Sequence, residues 1–254
     1  AHYSLQDAAV LTQKPIVRFH HCDAADLERK IKKHLKPGDV PLILSDGVFP
    51  TYGNIAPVDQ YLIIANEYDG LIFLDEAHAV GCVGPQGKGS FNHFGLESDR
   101  IYFGGTLSKA FCSHGAFIPG TREYINLLQE KSMVLSGASE AAIPCAAHAA
   151  KSLEWVMSHP EIQQNLRDNV FRLKSGLRAL GFEMNMNEVP IATINLKTQE
   201  NAVRIQRGLL EKGIYTDVTP YVGADAGGVI RFAIMANHTY EQLDYLLAEL
   251  QHLL

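Results

Sequence analysis

The sequence contains no run of about 20 consecutive apolar residues, the length a membrane-crossing helix needs. Its longest apolar stretches, 61–65 and 70–74, are of strand length, so no membrane span and a soluble chain are expected. It has no excess of positive charge either: 22 Lys and Arg stand against 28 Asp and Glu, a formal net charge of −6. No global basic field points to nucleic acid or an anionic membrane. Cysteine is scarce. Cys22, Cys82, Cys112 and Cys145 lie far apart without CxxC spacing, which argues against a zinc ribbon or a secreted disulfide scaffold and for a reducing cytoplasm. No basic segment followed by an apolar one marks a signal peptide, and the absence of an initiator Met suggests a processed or truncated chain. The histidines show no HExxH or comparable spacing, so no metal site is expected.

What is present is ample material for a core: 46% hydrophobic against 20% charged residues over 254 positions, enough for one large or two modest domains. Residues 23–35 place Leu27, Ile31 and Leu35 on one face with charges opposite, the pattern of a surface helix. Strand-like runs follow at 40–44, 70–74, 100–103 and 115–118, with a helical pattern at 58–67. Apolar strands separated by helices imply a parallel sheet covered on both sides. From residue 139 onward the pattern changes to long helices at 141–157 and 160–180, the second carrying Ile162, Leu166, Val170, Leu173 and Leu177 as a core-facing stripe. Strand-like 191–196 and 229–235 alternate with helical 200–212 and 239–254, an α+β arrangement. Two domains are expected, 1–155 and 156–254. Met184 and Met186 are read as core or strand-edge residues.

Two local signals carry chemistry. The run 71–78 is an apolar strand ending in Asp75, with His78 three residues on. Ligands collect at the carboxyl ends of strands in open α/β sheets, so a carboxylate and an imidazole there suit a cofactor, although a turn cap would use the same residues. The run 104–109 (GGTLSK) follows another strand: its glycines permit a tight turn, Thr106 and Ser108 offer hydroxyls, and Lys109 is either a solvated lysine or a nucleophile. Asp75-Glu76-Ala77-His78 also spells an NTP-binding motif of helicases. The only nearby glycine-lysine run, 84–90, lacks the GxxxxGK[ST] spacing that cradles phosphates and follows the acidic motif instead of preceding it. NTP hydrolysis is therefore set aside.

Taken in order, Asp75-Glu76-Ala77-His78, then Gly81, Gly84, Gly87 and Gly89, then Gly105-Thr106-Leu107-Ser108-Lys109-Ala110 resemble the α-oxoamine synthases. This is the pyridoxal-phosphate family of 8-amino-7-oxononanoate synthase, 2-amino-3-ketobutyrate CoA ligase, 5-aminolevulinate synthase and serine palmitoyltransferase. The likeness extends to residues 1–5, 19–23, 45–49 and 55–57 and to Ile230-Arg231-Phe232, nearly the whole chain.

The resemblance implies an α/β fold, the PLP-dependent transferase fold type I, with a mostly parallel large domain and a C-terminal α+β domain. It implies pyridoxal 5′-phosphate as cofactor, amino-acid and acyl-CoA substrates, and a homodimer. By the same resemblance Lys109 joins the cofactor, Asp75 pairs with the ring nitrogen, His78 meets the phenolic oxygen and His2 stacks on the ring. Thr106 binds the phosphate, with Ser136 and Ser139 as further candidates, and Arg231 takes the substrate carboxylate. The chain departs from the pattern at Pro50, where the family usually has Ser, and at Cys112 and Ala116, where it tends to have Gly. A segment that precedes the position of His2 in the family is not in this sequence, which reads as N-terminal truncation. A non-catalytic partner subunit, or an aminotransferase of the same fold, are the rival readings.

Overall fold

A computed structural model describes residues 1–218, 227 and 229–254. The chain divides into two compact units, Ala1–Gly47 with Ala56–Ser158, and Val48–Ile55 with His159–Leu254. Residues 48–55, expected within the first domain, thus belong with the second. Their element is too short to declare an allegiance in sequence, since it is a hairpin of two-residue strands.

The first unit opens with α1 (Tyr3–Leu11) and α2 (Ala24–His34). Asp23 caps α2 by accepting the Asp26 N–H at 2.8 Å, and Leu27 and Ile31 are buried as their spacing requires. Asp26, expected on the solvent face, is instead fully buried. It accepts the His20 N–H at 2.8 Å and an Arg29 guanidinium N–H, so its charge is met by donors that fold the preceding loop over the helix.

Strand β1 (Leu42–Asp46) follows, then β2 (Val48–Phe49) and β3 (Asn54–Ile55) of the other unit, then α3 (Val58–Glu67) and β4 (Leu71–Asp75). After α4 (Ser90–His93) come β5 (Ile101–Thr106), β6 (Ala116–Phe117), α5 (Arg122–Lys131) and α6 (Ile143–Ser158). The sheet order is β1-β4-β5-β6. The first three strands are parallel, whereas β6, expected to continue the series, is a two-residue antiparallel edge. In β4 only Ile72 and Leu74 are fully buried; Leu71, Phe73 and Asp75, on the other face, are half-buried.

In the second unit α7 (Pro160–Ala179) buries Leu166, Val170, Leu173 and Leu177 of the expected stripe. Strands β7 (Ile191–Asn195), β8 (Asp217–Val218) and β9 (Val229–Ala233) form an antiparallel sheet in the order β7-β9-β8. Helices α8 (Gln199–Glu211) and α9 (Tyr240–Leu253) complete the unit, and α9 starts with a reciprocal Thr239–Gln242 capping box. Between α7 and β7 there is no strand at the methionines: Met184 is half-buried and Met186 exposed in irregular chain, because β7 begins only at Ile191.

Candidate active site

Parallel strands deliver their carboxyl ends to one edge of the sheet, and here that edge is polar. Asp46 and Asp75 are register partners at the ends of β1 and β4, and Asp75 is in turn opposite Gly104 of β5. The ladder continues past the strands: the Gly47 N–H donates to the Asp75 carbonyl and the Glu76 N–H to the Gly104 carbonyl, each at 2.8 Å. Asp75 Oδ1 accepts the Ala77 N–H at 3.0 Å, the cap foreseen as its structural role, and half-buried His78 lies in the turn that follows.

His2 is tied to the same edge. Its backbone N–H donates to Asp46 Oδ1 at 2.9 Å, and its ring Nδ1 accepts the Ser4 N–H at 3.3 Å to cap α1. Burial pushes the Asp46 carboxyl up from its ordinary range, the His2 N–H opposes this, and the neighbouring Asp75 adds to it. Sequence reasoning assigned Asp46 no role. The available signal was a carboxylate ending a second strand of the same parallel sheet.

The lysine lies on a turn built around Thr106. Thr106 Oγ1 is 2.8 Å from Ser108 Oγ and donates to the Gly115 carbonyl at 3.2 Å, while the Ser108 N–H donates back to Thr106 Oγ1 at 3.2 Å. The Ser113 N–H closes on the Leu107 carbonyl at 2.8 Å, and the Cys112 N–H on that of Lys109 at 3.1 Å. Phe111 is buried, which leaves Ser108 and Lys109 exposed. Cys112 holds a φ of 49°, a conformation that suits the glycine its position resembles.

Beneath this edge Glu76 is wholly buried. Its carboxylate accepts the Ser90 N–H at 2.9 Å and the Ser90 hydroxyl, and burial lifts its pKa to about 7 against those two hydrogen bonds. A β-carbon on Gly47 would lie 2.6 Å from Glu76 Oε1 and 2.5 Å from Ser90 Oγ, so the residue that follows β1 leaves room for the acid by being glycine. Sequence reasoning missed Glu76 and Ser90; a buried partner 14 residues away leaves no local pattern.

The remaining candidates belong to other elements. Ser136 and Ser139 are exposed in irregular chain between α5 and α6. Arg231 belongs to the second unit, in β9, opposite Thr193 of β7 and Asp217 of β8. Its Nε–H donates to the Pro50 carbonyl at 2.8 Å. Among the described residues, no group of three or more His, Cys, Asp or Glu could hold a metal ion.

The donor set at the sheet edge fits pyridoxal phosphate: a carboxylate for a protonated ring nitrogen, paired hydroxyls for a phosphate and an exposed primary amine for an aldehyde. Comparison with known proteins agrees. The chain matches the family "Aminotransferase class I and II" over residues 1–250. It is 31% identical over 245 residues to a serine palmitoyltransferase of Sphingobacterium spiritivorum, covering 96% of this chain and 61% of that one. It is 33% identical over 246 residues to a putative 8-amino-7-oxononanoate synthase of Desulforudis audaxviator, covering 96% and 63%. The serine palmitoyltransferase of Sphingomonas wittichii superposes with a TM-score of 0.93 at 27% identity, over 100% of this chain and 64% of that one. A high-resolution structure of a serine palmitoyltransferase with PLP as its internal aldimine matches with the same values. The chain therefore spans somewhat under two thirds of the length of such relatives.

Proposed function

The chain belongs to the class I and II aminotransferase family, with α-oxoamine synthases as its relatives, and from that membership we propose that the whole protein is an α-oxoamine synthase. Such an enzyme is a pyridoxal-phosphate-dependent C-acyltransferase: an amino acid and an acyl-CoA give an aminoketone, CoA and CO2. The observation that carries this reading is the placement of Asp75 and the Thr106–Lys109 turn at the carboxyl ends of two neighbouring parallel strands. Bound there, the cofactor supplies an aldehyde that amines can join and a ring that takes up the electrons of a carbanion.

The chain's own residues do the rest. Lys109 would hold the aldehyde carbon of the bound cofactor, and its amine would take the proton from the substrate Cα. Asp75 would pair with the ring nitrogen, so that the bound ring can accept electrons. His78 would meet the phenolic oxygen, His2 would lie against the ring, and Thr106, with Ser136 and Ser139, would bind the phosphate. Arg231 holds the substrate carboxylate with its planar fork, and thereby the orientation of the bond to be broken.

A homodimer is part of this proposal. Two clustered hydroxyls, Thr106 and Ser108, are few for a phosphate dianion, and Trp155 and Met157 of α6 are 55% and 75% exposed, as an interface would require. A cytoplasmic setting is proposed on the four dispersed cysteines, none of which forms a disulfide. The test is borohydride reduction of the full-length protein with pyridoxal phosphate. The label is expected on the peptide containing Lys109 and absent in Lys109→Ala; a label on a different lysine would refute the assignment.

A further inference from the structure

Arg231 is the one proposed substrate ligand that lies in the second unit, and what orients it there is the hairpin β2–β3. Residues 50–53 form its turn, closed by the Gly53 N–H on the Phe49 carbonyl at 3.0 Å. Three carbonyls of this turn are held by side chains far away in sequence. That of Pro50 accepts Arg231 Nε–H at 2.8 Å, that of Thr51 accepts the Thr193 hydroxyl, and that of Gly53 accepts Asn187 Nδ2–H at 2.7 Å. Thr193 and Arg231 face each other across β7 and β9, so two consecutive carbonyls meet one register pair.

Asn187 is itself fixed. Its carbonyl and its Oδ1 accept Lys174 Nζ at 2.9 and 2.8 Å, and its Oδ1 accepts the Val189 N–H at 3.2 Å. Lys174 is 1% exposed, on the buried face of α7. A buried ammonium is costly unless its acceptors are held in place, and here both belong to a single residue. The amide of Asn187 is therefore locked with its donor aimed at Gly53. A guanidinium held through Nε has its plane defined, which two-point recognition of a carboxylate requires.

We propose that Asn187 is a positioning residue for Arg231: by holding the Gly53 carbonyl it fixes the turn whose Pro50 carbonyl sets the plane of the guanidinium. The proposal rests on the reading of Arg231 as the carboxylate ligand. Pro50, at a position where the family resemblance leads one to expect Ser, is compatible with it, since the contact uses a backbone carbonyl and proline retains one.

The test is Asn187→Asp in the full-length holoenzyme, which keeps Oδ1 for Lys174 and Val189 and replaces the donor to Gly53 by an acceptor, with an added negative charge beside Lys174. Hydrogen exchange read by mass spectrometry is expected to quicken about tenfold in the peptide covering 48–55 and to stay unchanged in β4 and β5. The KM for the amino acid is expected to rise about tenfold, with the KM for acyl-CoA unchanged. Thr193→Val, which withdraws the neighbouring clamp without changing charge, gives the same two readouts if the aspartate does not fold. An unaltered exchange rate at 48–55 overturns the proposal. So does a loosened hairpin with an unaltered amino-acid KM, while Arg231→Lys still raises that KM; the substrate reading then survives alone. If Arg231→Lys leaves the amino-acid KM where it was, the substrate reading itself falls and the proposal with it.

Discussion

Gly81 lies directly against Ala110: a β-carbon built on Gly81 would stand 2.4 Å from that of Ala110. Gly81 has a φ of +88°, and its N–H donates to the Gly87 carbonyl at 2.7 Å. The glycine-rich loop after Asp75-Glu76-Ala77-His78 is thereby the surface on which the turn carrying Lys109 rests. Its glycines serve close approach of chain segments: a β-carbon on Gly84 would stand 2.7 Å from the Gly89 carbonyl oxygen.

Gly81→Ala must then shift one of the two loops as well as hold an unfavourable φ. A loss of stability of about 1–3 kcal/mol is expected, the range for overpacking a tight contact, seen as a lower urea midpoint with unchanged slope. Cofactor content should fall with it, because the displaced residue adjoins Lys109. A variant with wild-type midpoint would show that the contact is relieved without cost.

Glu76 gives a pH signature. Burial raises its carboxyl from 4.5 to about 7, so the folded state favours the protonated form. Its contribution to stability is full below pH 4.5 and is lost as the pH rises through 7. In Glu76→Gln, where nothing titrates, this decline is absent. The difference in unfolding free energy between wild type and variant is expected to fall by on the order of 3 kcal/mol from pH 4.5 to 7.5. A flat difference would mean that Ser90 keeps Glu76 ionised.

Much of the site edge was legible because its signals are local. The strand ending in Asp75 and the Gly-Gly-Thr-Leu-Ser-Lys turn are contiguous in sequence, and the period of α7 announces Leu166 to Leu177 as core. What could not be read depends on partners remote in sequence. The hairpin at 48–55 is held by Asn187, Thr193 and Arg231, separated from it by more than 130 residues. The resemblance gives Arg231 a substrate carboxylate, and nothing local in the sequence foretells the Pro50 carbonyl as an acceptor of its Nε–H. Asp26 looks like one more charge on a surface helix, yet donors from His20 and Arg29 take it into the interior. Periodicity cannot show that.

Lys174 carries the opposite signature to Glu76. Desolvation lowers its pKa from 10.5 to about 8, so the folded state favours the neutral amine. Above pH 8 the unfolded chain binds the proton that the folded one has released, and stability rises with pH until about 10.5. Relative to Lys174→Met, wild type should gain on the order of 3 kcal/mol between pH 8 and 10.5. Chemical denaturation at matched ionic strength reads this directly. A difference that stays constant would place the ammonium in a site as favourable as water.

Asp75 separates structure from chemistry in one substitution. Its Oδ1 accepts the Ala77 N–H, a task an asparagine oxygen performs equally well, and its backbone carbonyl, which holds Gly47, is untouched by the change. Asp75→Asn should therefore melt close to wild type. What it removes is the charge beside β1 and β5, where the proposed cofactor nitrogen would be kept protonated. Without that charge the ring is a poorer electron acceptor, and loss of one such preorganised electrostatic contact typically costs about 10²–10³ in kcat. A fall of that size in the full-length enzyme is expected with little change in either KM, together with a change in the visible spectrum of the bound cofactor. Since the charge of Asp75 also helps raise the Asp46 pKa, the variant should lower it, a shift readable by carboxyl NMR without any cofactor. Full activity in a normally folded variant would mean that Asp75 is only the cap of its turn, and the site would have to be sought away from this edge of the sheet.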